Sequence, residues 1–170
     1  MDRRTLIAAG LAASSLAASP ALAKDKPRSR LYPVLEAIIT AWHHQDVEGV
    51  LVNVTDDIIW RNSGGFAPAI RGKAEMRKAL QAMAPRIKTN SWRIFDYAES
   101  ADRLFMEGVD EFWTVDGHHV AIPYAGSLMF RGGRVCEWRE YFDGRISASM
   151  KAGEPMSDEV KEMISRPLAK

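Results

Sequence analysis

An acidic side chain lies in the middle of an apolar strand pattern near the carboxyl end of the chain. In VCEWREYFDG, residues 135–144, strand alternation places Glu140 in one row with Trp138 and Phe142. Burying an ionised carboxylate without a partner costs several kcal/mol or raises its pKa. We therefore expect Glu140 to face a pocket, and the alternative is a bulge at Gly132-Gly133 or near Arg139 that turns it outward.

A second acid, Asp110, lies in a strand pattern that alternation alone does not orient. In residues 103–115, one row contains Asp110 as its single carboxylate, beside a glycine that leaves space. The other row contains Glu107 and Glu111, which suits an outer face in contact with water. We therefore expect Asp110 to face the pocket, and the alternative is a half-exposed strand acid.

Together the two acids predict acid–base chemistry. Two carboxyl groups that share an apolar pocket repel each other, so one stays protonated near neutral pH. Asp110 and Glu140 would then supply an acid and a base from two similar groups.

Substrate contacts are expected from the strands on either side of these acids. Trp60 shares a row with Asn62, and the stretch from residue 120 to residue 128 has an apolar face. Plain core packing is the alternative for each of them, whereas Tyr124 would also supply a hydroxyl group. The expected substrate-binding residues are Trp60, Ile122, Tyr124 and Leu128.

The sequence has no pattern typical of metal, cofactor or nucleic-acid binding. Its four histidines form two adjacent pairs, at 43–44 and 118–119, and neither spacing suits a metal site. We find no Gly-rich phosphate loop, nucleophile elbow or redox cysteine pair, and we expect no cofactor and no metal. A formal net charge of +1 does not favour nucleic acid as a partner.

Residues 1–23 are typical of an export signal. A basic start with Arg3 and Arg4, an Ala-rich apolar run and small residues predict cleavage after Ala23. The arginine pair resembles a twin-arginine signal, and a Sec signal also fits. The apolar run is shorter than the ~20 residues that span a bilayer. We expect a periplasmic or secreted protein with no membrane association after cleavage.

The rest of the chain is the size of one domain. We expect a flexible lead-in at 24–30, a domain at 31–150 and a tail at 151–170. The final stretch, residues 144–170, offers one short helix and a polar tail. Two helices, a strand and a helix at 73–84 precede four strand-like runs. These runs cover residues 89–98, 102–115, 118–130 and 133–142. Helices gathered before one antiparallel meander predict an α+β domain with the helices on the concave face of the sheet.

Three motifs resemble the nuclear-transport-factor-2-like (NTF2-like) superfamily, in its SnoaL-like group. They are ITAWHHQDVEGVLVNVTDDIIWRN, RGKAEMRKAL and GGRVCEWREYFD, and the resemblance covers roughly residues 31–150. It implies a cystatin-like cone, in which a curved antiparallel or mixed sheet is covered by N-terminal helices on its concave face. Within the superfamily, the sequence most resembles the limonene-1,2-epoxide hydrolases.

The resemblance to these hydrolases implies a role for each candidate residue. Asp110 corresponds to the acid that protonates the epoxide oxygen, and Glu140 to the base that activates water. Asn62 and Trp60 stand where those enzymes have an asparagine and a tyrosine that hold the water. Gly108 stands where they have an arginine that bridges the two acids. The implied function is addition of water to a small apolar epoxide, as a hydrolase acting on ether bonds.

Two other functions fit the same residues. In a SnoaL-like isomerase or cyclase, one carboxylate would shuttle a proton on the substrate and no water would be consumed. A non-catalytic periplasmic binder of a small apolar ligand is favoured by the glycine at 108 and the tryptophan at 60. The resemblance also implies a homodimer through the outer face of the sheet, near Glu107 and Trp113.

Overall fold

The computed structural model of the chain describes residues 29–62 and 65–169. The expected export signal and residues 24–28 of the lead-in lie outside these described residues. The helices are α1 (Tyr32–His43), α2 (Val47–Leu51), α3 (Lys73–Met83), α4 (Gly144–Lys151) and α5 (Asp158–Ser165). The strands are β1 (Val54–Arg61), β2 (Ile70–Arg71), β3 (Ile87–Glu99), β4 (Arg103–Thr114), β5 (His119–Arg131) and β6 (Arg134–Phe142). None of the described helices is long and apolar enough to cross a membrane.

The six strands form one curved, mixed sheet in the order β2-β1-β6-β5-β4-β3. Strands β3 to β6 are the predicted antiparallel meander, and β1 lies parallel to β6. The predicted α+β class with a curved, mixed sheet is confirmed. Because neighbouring strands are in register, side chains from β4, β5 and β6 meet on the concave face.

The N-terminal helices cover the concave face, as predicted. Leu35 and Ile38 of α1 and Met76 of α3 are fully buried in the main core. The start of α1 is held against the sheet by Glu99, whose carboxylate accepts hydrogen bonds from the backbone N–H groups of Leu31 at 3.2 Å and Tyr32 at 3.0 Å. A carboxylate at a helix N-terminus is favourable because the first N–H groups of the helix lack partners. This contact fixes α1 over the sheet.

The C-terminal segment contains two helices, where the sequence predicts one short helix and a polar tail. The Asp143 side chain accepts from the backbone N–H of Arg145 at 2.9 Å and begins α4. The Ser157 hydroxyl accepts from the backbone N–H of Val160 at 3.3 Å and begins α5. The apolar side of α5 packs on the outer face of the sheet. Its apolar residues recur at helical spacing, which is a signal that would have predicted this helix.

The outer face differs from the prediction at Glu111. Its side chain is only 2% exposed. The Arg93 Nε donates to its carboxylate at 2.7 Å, and the His119 Nε2 lies 2.8 Å from its other oxygen. The prediction that Glu111 faces water is therefore wrong, whereas Glu107 is exposed and paired with Arg166 at 3.0 Å. Alternation fixes a face of the strand, but it does not show which partners cover that face.

Candidate active site

A cavity of about 580 Å³ opens between the concave face of the sheet and the helices. Its walls are mainly apolar and aromatic, with a few polar groups that converge on it. This combination is typical of small-molecule sites. Of the predicted site residues, those that line it are Trp60, Asn62, Asp110, Ile122, Tyr124 and Glu140.

Strand register places Tyr124 between the two acids. Asp110 on β4 pairs with Ile122 on β5, and Glu140 on β6 pairs with Gly126 on β5. Tyr124 lies midway between those two β5 positions and on the same face. The negative charges of both carboxyl groups raise the pKa of the Tyr124 phenol further, beyond the effect of burial. The three groups therefore form one electrostatic unit.

Gly108 leaves the space that the Tyr124 ring occupies. A Cβ atom at this position would lie 2.1 Å from the Arg93 backbone oxygen and 3.2 Å from the Tyr124 Cε1. No side chain fits there without displacing one of these groups, so a bridging arginine is sterically excluded. The Trp92 Nε1 donates a hydrogen bond to the Tyr124 hydroxyl. The Tyr124 hydroxyl accepts this hydrogen bond, so its own proton stays available for donation to another acceptor.

Glu140 lies among indole rings at the inner end of the cavity. The Trp60 Nε1 donates to the Glu140 Oε2 at 2.9 Å, and the Trp138 ring stacks on Trp92 with centroids 5.4 Å apart. Burial raises the pKa of Glu140 to about 8, hydrogen bonds from the Trp60 and Trp138 indoles oppose the rise, and the charge of Asp110 adds to it. Glu140 is therefore mainly protonated at neutral pH.

Asp110 lies nearer the cavity mouth and keeps its charge. Burial raises its pKa to about 6, and the positive charge of Lys151 on α4 opposes this rise. Asp110 is therefore mainly ionised at neutral pH, when Glu140 is mainly neutral. This order reverses the expected roles, because the neutral group is the natural acid and the ionised group the natural base.

Two predicted residues have surroundings that alter their expected roles. Trp60 lines the cavity, but Glu140 already accepts its single N–H, so it has no second donor with which to hold a water molecule. Leu128 is 0% exposed and is absent from the described lining; it lies in the main core. The expectation that Leu128 contacts substrate is corrected, since alternation predicts the face of a strand but not the depth along it.

Among the cavity residues that the sequence did not reveal, three lie beside the acids. Trp138 shares the row of Glu140, which was a usable signal, and its indole N–H interacts with the Glu140 carboxyl group and lowers its pKa. Trp92 pairs with Asp110 across β3 and β4, and an apolar strand row alone does not reveal this partner. Lys151 reaches the cavity because α4 folds back over β5, and no local pattern signals that.

Metal ligation finds no support in this cavity. Across residues 29–62 and 65–169, no group of three or more His, Cys, Asp or Glu side chains is arranged to hold a metal ion. That the protein works without a cofactor stays a prediction.

Replacing Gly108 with Ala is expected to destabilise the fold by about 1–3 kcal/mol, because the added methyl group overlaps the Arg93 backbone oxygen. Urea unfolding would measure the loss. Gly144→Ala is the matched control, since no described heavy atom lies within 4 Å of its Cβ position. A Gly108→Ala protein as stable as the control would contradict this account of the packing.

Replacing Glu140 with Gln is expected to stabilise the fold increasingly as pH rises. The folded-state pKa of about 8 lies above the ordinary value of 4.5, so the wild type loses stability as pH rises through this range. Glutamine cannot ionise and avoids that loss. Free energies of unfolding at about pH 5, 7 and 9 would measure the difference. The control is Glu137→Gln, which removes a carboxylate paired with Arg61; a gain there equal to that of Glu140→Gln would contradict the assignment.

The chain is similar in sequence to one protein family and in fold to several solved structures. A family model described as the SnoaL-like domain matches residues 35–138. Among curated proteins, none matches the chain significantly. Three solved structures show the fold at low sequence identity. The first is an NTF2-like protein from Burkholderia pseudomallei, with a TM-score of 0.62, 20% identity, and coverage of 73% of this chain and 96% of that one.

The other two structures have similar scores. One is described as an LEH-like epoxide hydrolase from M. tuberculosis, with a TM-score of 0.62, 20% identity, and coverage of 80% of this chain and 92% of that one. The other is a Catenulispora acidiphila protein with a ketosteroid isomerase-like fold, in complex with trimethylamine. It has a TM-score of 0.63, 16% identity, and coverage of 72% and 93%. At these identities the likeness concerns the fold alone.

Proposed function

We propose that this protein, which belongs to the SnoaL-like domain family, catalyses proton transfer on a small, largely apolar carbonyl compound. The observation that carries the proposal is a carboxylate and a neutral carboxyl group on either side of a phenol in one apolar cavity. A base and an acid of this kind each contribute roughly 10²–10⁴-fold to the rate of a reaction.

Asp110 is the proposed base. Its pKa of about 6 keeps it ionised at neutral pH but still basic enough to accept a proton in the transition state. It removes a proton from the carbon atom next to the substrate carbonyl group. The electron pair of that C–H bond moves into the adjacent C–C bond, and the carbonyl oxygen becomes an enolate oxygen.

Tyr124 and Glu140 are the proposed donors to that oxygen. The phenol is oriented by the Trp92 hydrogen bond, and Glu140 is neutral because burial raises its pKa to about 8. Preoriented donors in a water-poor cavity stabilise developing charge more strongly than water does.

Two outcomes complete the reaction without adding water. Asp110 returns its proton to a different carbon of a conjugated enolate, which is an isomerisation. In the other outcome the enolate carbon attacks a second carbonyl group of the same molecule, and the new alkoxide takes the proton, which closes a ring.

Water addition to an epoxide is the second candidate. Asn62 lines the cavity, and the fold is similar to that of an epoxide hydrolase from M. tuberculosis. Asp110 would then activate the water and Glu140 would protonate the epoxide oxygen. This candidate is weaker because Trp60 donates to Glu140 and has no donor left for a water molecule.

Isotope incorporation distinguishes the two reactions. The purified protein would be incubated in D₂O, and separately in ¹⁸O-labelled water, with panels of cyclic β,γ-unsaturated ketones and of small epoxides. We expect enzyme-dependent deuterium either at the carbon next to the carbonyl group, from simple exchange, or at the far carbon of the conjugated enolate, from isomerisation, and no enzyme-dependent ¹⁸O. One ¹⁸O atom in a diol product would establish hydrolysis instead. Neither label, with a ligand retained through purification, would favour a binding protein.

A further inference from the structure

Basic side chains from three separate elements line the mouth of the cavity. Arg86 follows α3, His118 lies in the turn between β4 and β5, and Lys151 ends α4. Asp116 is the acidic residue that lines the mouth in the part of the chain that the structure describes. The His118 Nε2 lies 3.7 Å from the Asp116 carboxylate. Arg86 and Lys151 form no ion pair with another described residue. The mouth therefore carries more positive than negative charge.

Strand register orders the remaining groups by depth. From the mouth inward along β5, the first acid is Asp110, beside Ile122. Tyr124 follows, and Glu140 lies beyond it at Gly126. The cavity thus changes from a cationic mouth, through the proposed base and the phenol, to a neutral end walled by indole rings.

Lys151 lies inside this mouth rather than in open solvent. Its Nζ is 5.4 Å from the centroid of the Phe112 ring, which forms part of the cavity wall. It is close enough to Asp110 to oppose the rise in that residue's pKa, but it does not form an ion pair with it. The ammonium group therefore keeps its hydrogen-bond donors for a molecule that enters.

We propose that the substrate carries a carboxylate, which Lys151 and Arg86 bind at the mouth while a planar apolar body packs against the indole rings inside the cavity. The stacked pair Trp92 and Trp138 and the tilted Trp60 provide flat apolar surface for such a body. The carboxylate end fixes the direction of entry, so that the carbon next to the carbonyl group faces Asp110. This inference rests on the proposed function in taking the bound molecule to be the substrate.

Matched pairs of ligands that differ only in charge test the inference without turnover. Isothermal titration calorimetry at neutral pH would compare 2-naphthoate with 2-naphthamide, and benzoate with benzamide to cover a smaller ring. Hydrogen bonds between charged groups are stronger than those between neutral groups, and we expect the carboxylate of the better-fitting pair to bind about tenfold more tightly. Lys151→Met should reduce this preference to near one, and Arg86→Met should reduce it in part.

The control variant is Lys161→Met, which removes a lysine on α5 that is paired with Asp158 at 2.8 Å. It should keep the full preference, and thermal unfolding would verify that each variant is folded. An amide that binds wild type as tightly as its carboxylate overturns the inference. A preference for the carboxylate that persists in the double variant Lys151→Met, Arg86→Met also overturns the inference. Failure of every tested carboxylate to bind overturns it as well.

The experiments distinguish failure of the anionic-substrate inference from failure of the proposed proton-transfer function. Deuterium exchange into neutral ketones, with no preference for carboxylates, would overturn the anionic substrate and leave the proton-transfer function standing. A clear preference for carboxylates, with no exchange into any carboxylate-bearing ketone, would overturn the function and leave an anion-binding mouth.

Discussion

Asp110→Asn is expected to lower kcat/KM by roughly 10²–10⁴-fold on any substrate that the protein turns over. The substitution removes the carboxyl group that is ionised at neutral pH and keeps nearly the same volume, so the cavity should still bind its ligand. Most of the loss should therefore appear in kcat, with a small change in KM. Steady-state kinetics on the substrate identified by isotope exchange would measure both constants.

The matched control is Asp116→Asn, an acid at the mouth of the same cavity whose pKa is lowered by hydrogen bonding and by His118. It should keep kcat close to that of wild type, because this carboxylate is distant from Tyr124. If Asp110→Asn keeps a wild-type kcat, the assignment of Asp110 as the base is wrong. Equal losses in both variants would indicate a general electrostatic effect rather than proton transfer.

Tyr124→Phe is expected to lower kcat by about 10²–10³-fold, the usual cost of removing one donor to a developing oxyanion. The ring remains, so packing against Gly108 is preserved while the hydroxyl between the two carboxyl groups is lost. The Trp92 Nε1 also loses its acceptor, and a modest loss of stability should accompany the kinetic effect. Kinetics and urea unfolding on the same preparation separate the two.

Tyr141→Phe is the control for this substitution, since Tyr141 is 55% exposed and is absent from the described lining of the cavity. Its kinetic constants should match those of wild type. A Tyr124→Phe protein with unchanged kcat would show that the phenol only fills space. The donor role would then pass to Glu140 alone.

The placement of the two acids on the concave face was within reach of the sequence. Glu140 lies between Trp138 and Phe142 in a strict period of two, and a strand with one apolar face has few ways to orient such a row. The inward orientation of Asp110 was predictable because its row on the strand has one carboxylate, whereas the opposite row has two. The same reasoning failed at Glu111, which is buried by partners on neighbouring strands.

Which acid holds the proton was beyond the reach of the sequence. The pKa of Glu140 depends on burial among indoles and on a donor from β1, Trp60. The pKa of Asp110 depends on a lysine from α4, a helix that the sequence analysis did not place against β5. Both effects arise from tertiary contacts, and residue spacing within one strand carries no information about them.

The antiparallel meander was predictable from local turn signals, whereas the C-terminal segment was predicted only in part, as one helix where the structure has two. Asp116-Gly117 and Gly132-Gly133 punctuate the later strands, and each of these glycines has a positive φ in the structure. The final helix packs on the outer face, and Arg166 pairs there with Glu107. This segment covers part of the face through which a homodimer is expected, and dimerisation stays a prediction.

A pH titration of the two carboxyl groups tests the central claim most directly. Protein labelled with ¹³C at the Asp and Glu side-chain carboxyl groups would be followed by NMR, with Asp110→Asn and Glu140→Gln used for assignment. The account predicts midpoints at about 6 for Asp110 and about 8 for Glu140, so that one group is ionised and the other neutral at pH 7. Two midpoints at the ordinary value of about 4, with both groups ionised at pH 7, would contradict it.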